Sequence, residues 1–599
     1  MTTHRFDKIL VAIRGEAASH VIRTAQSMGI ETVAVFSGAE RNSPYVYLAD
    51  EAWSLDEVST SGDEVPSPSF PNISREKILA IAQASGAQAI HPGCGKLAND
   101  LEFSERCSHN DLIYIGSTSV SIELLQSKTV TRFVVEDAQV PLAPGYHGSE
   151  QSLPTLLAKA EGIGFPLLIR GDFPDGGAAT RIVENAESLP SAVASAQDAL
   201  KNQGAKQRLL LERLVPDARF VDIPVFIDQH GNGIHFPERD CSVRHQHQAV
   251  ILESPTSSLP ERVRKTLGEA ALRCARTLQC VGGVTVSFVL DSHDGFYFSS
   301  LKPFIDVDSQ LTSLVTGQNL VEWQLRIAAG EPLPCAQSTL VRIGHGFEAN
   351  LYAGSPCEDQ PAASTPEEPQ QIRLWHRPEQ VFQVQLNELH QAGSPAVATG
   401  ARIGRLYAWD QARPQALRRL RSALKATAAC GIATNLDYIH RTCSLPAYAE
   451  ALVTSQFPHQ HHAELCAPCP PPSNSVIYMA AIAWLAQEEI SQIHQTDPRE
   501  DQVTDLVAPN CKQIPLTLTH NSIRYSLTLD CMSDGFRIQQ PQVDLYLRAR
   551  YHKDTLVLDL GSHTEKAKVF SDSGIAIVYK NGSSYWFTIA NNTTKQATP

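Results

Sequence analysis

Glu238-Arg239-Asp240-Cys241-Ser242 opens the stretch, residues 238–312, on which the reading of this chain turns. It runs on through His247-Gln248-Ala249 and Glu253-Ser254-Pro255. Then come Val284-Thr285-Val286-Ser287-Phe288-Val289-Leu290 and Phe296-Tyr297-Phe298-Ser299-Ser300-Leu301-Lys302-Pro303-Phe304. The last two runs are rich in β-branched and aromatic residues. They are separated by the polar turn Asp291-Ser292-His293-Asp294-Gly295, so they predict a hairpin.

Working outward, residues 8–13 form a short apolar run followed by Arg14-Gly15-Glu16. A helical pattern follows over 17–28, then a second apolar run over 32–37. Strand, glycine turn, helix and strand make a βαβ unit, hence a parallel sheet with its ligand edge at the turn. Residues 75–84 and 87–91 repeat the helix–strand alternation, and His91-Pro92-Gly93-Cys94-Gly95-Lys96-Leu97 follows at that same edge. By composition alone this loop is a chain turn. On the other side, beyond residues 331–334, a small αβ domain is marked by His345-Gly346-Phe347-Glu348. It is interrupted over 355–371 by a Pro/Glu/Ser/Ala-rich segment with no power to form a core. Residues 418–429 predict an Arg-rich amphipathic surface helix, 456–473 a proline-rich linker, and 474–493 another helix. From 513 the chain alternates in six short runs, beginning at Leu516, Ser526, Leu545, Thr555, Ala576 and Tyr585, which predict an antiparallel barrel or sandwich.

Bulk properties narrow the function classes. A length of 599 residues predicts several domains. A formal net charge of −14 argues against a partner with a phosphate backbone, which needs clustered Lys and Arg. Composition is that of a globular protein, 42% hydrophobic and 19% charged, and no run of 18 apolar residues predicts a membrane span. The N-terminus enters a strand within eight residues, leaving no room for a signal peptide, and a cytoplasmic location is expected. Thirteen scattered cysteines suit a reducing compartment. Cys466-Ala467-Pro468-Cys469 has no second ligand pair at matching spacing and reads as an incidental linker pair. The neighbouring His459, His461 and His462 read as solvated rather than metal-bound.

The motifs resemble those of the biotin carboxylases, the α-subunits of acyl-CoA carboxylases of the propionyl- and methylcrotonyl-CoA type. Arg14-Gly15-Glu16, Met28-Gly29-Ile30 with Thr32-Val33-Ala34-Val35, and Ala49-Asp50-Glu51-Ala52 match the family's N-terminal domain. His91-Pro92-Gly93 through Asp100 is a variant of its His-Pro-Gly-Tyr-Gly-Phe loop. Ile115-Gly116-Ser117 and Ser127-Lys128 match the start of its ATP-grasp domain. The resemblance implies an α/β biotin carboxylase-like fold: an N-terminal parallel α/β domain over 1–125, an ATP-grasp domain over 126–333 and an αβ lid over 334–454. A linker would fill 455–473. A helix plus β-barrel over 474–599 is similar in position to the domain that joins such subunits to a carboxyltransferase.

The family makes carboxyphosphate from bicarbonate and MgATP and then carboxylates biotin, using metal carboxylates, cations and a general base. By the resemblance, the metal glutamates are replaced by Ser287 and Ser300, and the lysine after His-Gln by Ala249. The bicarbonate arginine becomes Phe304, the glutamine after it Asp306 and the base Asp308, while the histidine near the hinge becomes Phe220. The lid glycines become Gly171-Asp172-Phe173-Pro174-Asp175-Gly176-Gly177, where a proline lacks an N–H and two acids oppose phosphate. Lys128, Arg170, Glu212, Glu238 and His247 remain, and Lys128, Arg170, Glu212 and His247 are the candidate residual nucleotide contacts. The four methionines, Met1, Met28, Met479 and Met532, include no biotinylation site, so no attached biotin is expected, no metal, and ATP only weakly. The expectation is a catalytically degenerate α-subunit assembling through residues 474–599 with a carboxyltransferase-type β-subunit in an acyl-CoA-processing hetero-oligomer. The alternative is an active ATP-grasp ligase forming carbon–carbon or carbon–nitrogen bonds, with altered substrate and a replacement metal ligand such as Asp306.

Overall fold

The computed structural model describes residues 6–56, 74–173, 179–202, 208–245, 248–306, 310–357, 371–378, 384–388, 400–493, 504–506, 513–532, 534–552, 555–572, 574–580 and 582–591. They form two compact units: residues 1–349 with 407–417 and 447–460, and residues 350–406 with 418–446 and 461–599.

In the first unit Lys8–Val11 lies at the centre of a five-stranded parallel sheet. Glu31–Phe36 and Glu51–Ser54 lie to one side, Ala89–His91 and Ile113–Tyr114 to the other. The helix Gly15–Ser27 turns Ala18, Val21, Ile22 and Ala25 inward at helical spacing, as the βαβ pattern requires. A second, antiparallel sheet orders Phe296–Lys302, Gly282–Leu290, Arg219–Ile227, Arg239–His245 and Gln248–Ser254 side by side. The expected hairpin is its first pair. The helix Glu261–Thr277 covers this sheet with Val263, Leu267, Ala270, Ala271 and Cys274, all essentially free of solvent. A smaller sheet of Gly145–Tyr146, Leu209–Arg213, Leu167–Gly171 and Arg181–Val183 carries Arg170 and Glu212.

In the second unit eight antiparallel strands, from Ile514–His520 to Ser583–Asn591, close into a barrel. The first pairs with the last, and Val543–His552 pairs with Thr555–Asp559. Two of these strands, Gly535–Gln540 and Thr564–Asp572, were not among the six expected. The outward residues of Thr-Glu-Lys-Ala-Lys-Val-Phe-Ser-Asp are polar except Phe570, and only Ala567 and Val569 join the core. The helix Asn474–Ile493 is apolar all round from Val476 to Leu485, and these residues share one core with inward side chains of all eight strands.

Three further expectations are corrected. The Arg-rich helix is Arg413–Ala426, starting five residues earlier than expected, and it buries Ala416, Leu417, Leu420, Ala423 and Leu424. The linker holds two one-turn helices, Phe457–Gln460 and His462–Leu465, each anchored by one buried side chain, Phe457 or Leu465. Cys466 is not an incidental partner of Cys469: it forms a disulfide with Cys357, and Cys469 is a free thiol. Sequence spacing hides that pair because 109 residues separate its members.

Candidate functional site

Strand register builds the centre of the site. Arg239 stands opposite Asp222, Asp222 opposite Ser287, and Ser287 opposite Ser300, a row running across four strands on one face of the antiparallel sheet. Opposed residues of neighbouring strands share a face and lie close enough to interact. The Ser287 hydroxyl donates to Asp222 Oδ1 at 2.6 Å. Lys302, two residues after Ser300 and opposite Thr285, lies on that same face. Arg239 is buried at 2% exposure, with its Nη2 3.6 Å from Asp306 Oδ2. Asp306 and Asp222 raise the pKa of the Lys302 ammonium, against burial and Arg239. Asp306 is therefore held in an ion pair.

Around this row lies a cleft of about 1060 Å³ lined by Lys96, Lys128, Arg132, Glu212, Ser300, Lys302 and Phe304, among others. Lys128, Arg170 and Glu212, expected together, do converge. Burial pushes the Glu212 carboxyl up, but Arg170, Arg132 and Lys128 outweigh it and hold its pKa below the ordinary value. Arg132 Nη2 lies 3.1 Å from Glu212 and Arg170 Nη1 3.8 Å, so the carboxylate holds two guanidiniums in place. Arg132 escaped the sequence reading because its helix pattern, Lys128–Asp137, gives no sign that this buried arginine faces an acid 80 positions further along the chain.

Other expected residues have structural work. Glu238 is buried and binds Arg264 Nε at 2.8 Å and the Thr256 N–H at 3.1 Å. Asp172, expected to oppose phosphate, accepts from the Ser127 hydroxyl and the Thr129 N–H, and so caps the helix Lys128–Asp137. Phe220 packs under the Arg244 guanidinium at 4.5 Å, and Ala249 packs beside Cys241, Leu252 and Leu311. His247, Asp308 and the lid residues Pro174, Asp175, Gly176 and Gly177 lie outside the described residues.

The donor set does not fit Mg²⁺. That ion asks for hard oxygen ligands, usually carboxylates, in an octahedron. Here two neutral hydroxyls stand in the row, an ammonium and a guanidinium face the same space, and the two carboxylates there are already engaged, Asp222 by the Ser287 hydroxyl and Asp306 by Arg239. Among the described residues no group of three or more His, Cys, Asp or Glu side chains is placed to hold a metal, and no helix is long and apolar enough to cross a membrane.

Comparison with known proteins identifies the fold and the family. Residues 5–122 match the family described as biotin carboxylase, N-terminal domain, and residues 127–336 match carbamoyl-phosphate synthase L chain, ATP binding domain. The chain is 37% identical over 495 residues to the mitochondrial methylcrotonoyl-CoA carboxylase subunit alpha of Dictyostelium discoideum, covering 82% of this chain and 68% of that one. It spans 64% of the mouse protein of the same name. It is 32% identical to biotin carboxylase 2 of Bacillus subtilis, over 76% of this chain and 100% of that one. Among solved structures, the biotin carboxylase domain of Hydrogenobacter thermophilus 2-oxoglutarate carboxylase, in complex with MgADP, ADP and bicarbonate, superposes with a TM-score of 0.70. It is 28% identical and covers 77% of this chain and 98% of that one. Biotin carboxylase from Campylobacter jejuni gives a TM-score of 0.69 at 26% identity, over 76% of this chain and 99% of that one. The chain belongs to the family of biotin carboxylases and acyl-CoA carboxylase α-subunits.

Proposed function

We propose that this chain is an acyl-CoA carboxylase-type α-subunit that has given up ATP-dependent biotin carboxylation and serves assembly with a carboxyltransferase-type β-subunit. The observation that carries the reading is the row Arg239, Asp222, Ser287 and Ser300 with Lys302 beside it, where the family's metal glutamates would stand. Removing one partner of transition-state charge costs about 2.7–4 kcal/mol, or roughly 10²–10³ in rate. Losing two glutamates, the lysine at Ala249 and the arginine at Phe304 removes the charge-stabilising set as a unit, a loss at least as large as any single member's though not the product of them. The expected carboxylation rate therefore falls below detection. The barrel of residues 474–599 is the proposed docking part, and the acyl-CoA chemistry is assigned to the partner. A cytoplasmic location remains part of this proposal; the methylcrotonoyl-CoA carboxylase relatives carry the word mitochondrial in their names.

A second reading is an active ATP-grasp ligase with altered substrate and metal ligands. The comparisons favour it, since the relatives named above are carboxylases, and so does the retention of Lys128, Arg170 and Glu212 around one cleft. ADP release by the full chain, measured with MgATP and either bicarbonate with free biotin or a panel of carboxylic acids with amine acceptors, separates the two. Release above the uncatalysed background would sink the first reading. No release, with a carboxyltransferase-like subunit co-purifying in native mass spectrometry, supports it.

A further inference from the structure

The row of residues described above has a feature that simple loss of a metal site does not explain. Deleting two glutamates from a cation site would leave a hole flanked by serines. Instead the same face holds Asp222 and Asp306 against Arg239 and Lys302, so that the four charges sum to zero. Arg239 lies on the far side of the row, opposite Asp222, and pairs with Asp306 Oδ2 at 3.6 Å while its Nε and Nη2 make no hydrogen bond. Lys302 is the only one of the four on the hairpin strand Phe296–Lys302 that also carries Ser300, and it lines the cleft with Ser300.

We propose that the Lys302 ammonium is a tethered cation taking the place of the divalent ion, balancing Asp222 and Asp306 and closing this cleft to divalent metal. The substitution is self-consistent. A single positive charge fixed by the chain needs no carboxylate cage, so serines suffice at 287 and 300. A divalent ion brought to the same face would meet Lys302 and Arg239 with only two carboxylates to offset all three cations, and like charges at such separations repel strongly in a partly buried site. The raised pKa of Lys302, caused first by Asp306 and then by Asp222, agrees with a permanently charged group. The proposal rests on the reading that the site has left metal-dependent chemistry, and it adds the residue responsible.

The test is Mn²⁺ titration of the full chain followed by electron paramagnetic resonance of the free ion. Four proteins are compared: wild type, Lys302→Asn, Ser300→Glu, and Ser300→Glu with Lys302→Asn. Wild type and Ser300→Glu are expected to bind no Mn²⁺ at millimolar concentration. The double variant is expected to bind at least ~10-fold more tightly than Ser300→Glu alone, because one opposing charge has gone. Lys302→Asn is expected either to gain Mn²⁺ or, if it unfolds in EDTA, to recover its folded circular dichroism in Mn²⁺. Mn²⁺ binding by wild type overturns the proposal. So does equal binding by Ser300→Glu and the double variant, which is the deciding pair if Lys302→Asn folds in neither buffer. Wild type that releases no ADP yet binds Mn²⁺ defeats this inference alone, whereas ADP release defeats the functional reading.

Discussion

Glu253 offers a prediction whose size can be worked from its surroundings. It sits on the strand Gln248–Ser254, buried, with His345 Nε2 3.0 Å from Oε1, Arg413 Nε 2.9 Å from Oε1 and Arg413 Nη2 3.0 Å from Oε2. The Arg413 guanidinium also lies over the Phe347 and Tyr448 rings at 5.5 and 5.6 Å. Burial pushes the Glu253 carboxyl up, but the hydrogen bonds of His345 and Arg413 reverse this and carry its pKa from 4.5 down to about 2. At 1.36 kcal/mol per pH unit, that gap amounts to about 3 kcal/mol. Because the folded value lies below the unfolded one, the stabilisation is present above pH about 4.5 and is lost as the pH falls through about 2. Glu253→Gln keeps an acceptor for Arg413 but removes the charge, so the variant should lose about 3 kcal/mol at pH 7, enough to lower a calorimetric midpoint by about 5 °C. The difference from wild type should shrink steadily below pH 4.5. A difference that stays constant from pH 7 to pH 3 would refute the assignment of this stability to the charged carboxylate.

Two further outcomes concern the second unit. Burial, opposed by Arg441, raises the Asp437 pKa from 3.8 to about 6, so its charged form destabilises the fold: stability is full below about 3.8 and is lost as pH rises through 6. Asp437→Asn should therefore raise the midpoint of this unit at pH 7.5 and not at pH 4, and equal midpoints at both pH values would contradict this. Reducing the Cys357–Cys466 bond, or replacing Cys357 by Ser, opens a loop of 109 residues and should cost this unit about 2–4 kcal/mol in urea unfolding, with dithiothreitol having no effect on the Cys357→Ser variant.

What was legible in the sequence follows from the range of the signals. The hairpin around Ser287 and Ser300, the βαβ start and the helix 474–493 are local patterns with fixed periods, and the structure bears them out as elements. The two missed barrel strands carry charged outer faces that blur the alternation. The disulfide, the Arg132–Glu212 pair and the Asp172 cap join residues 109, 80 and 43 to 45 positions apart, and no local period records such meetings. Asp222 and Lys302 were missed for another reason. Their meeting depends on strand register across the sheet, which no local motif records.

On the proposed reading, in which Ser287 and Ser300 stand for the family's metal ligands, that neighbourhood accounts for how the sheet keeps its packing. Carboxylates at 287 and 300 would add two negative charges beside Asp222 and would need a bound cation to remain buried together. Serines remove that demand, and one of them satisfies Asp222 directly through its hydroxyl. Arg239 then has carboxylates to face in Asp222 and Asp306, and Lys302 supplies the second positive charge from within the strand itself. Each change alone would leave a charge unbalanced in a partly buried place, while the set leaves none. The substitutions at 287, 300 and 302 are therefore coupled, and reversing only one should destabilise the sheet more than reversing all three in the presence of a divalent ion.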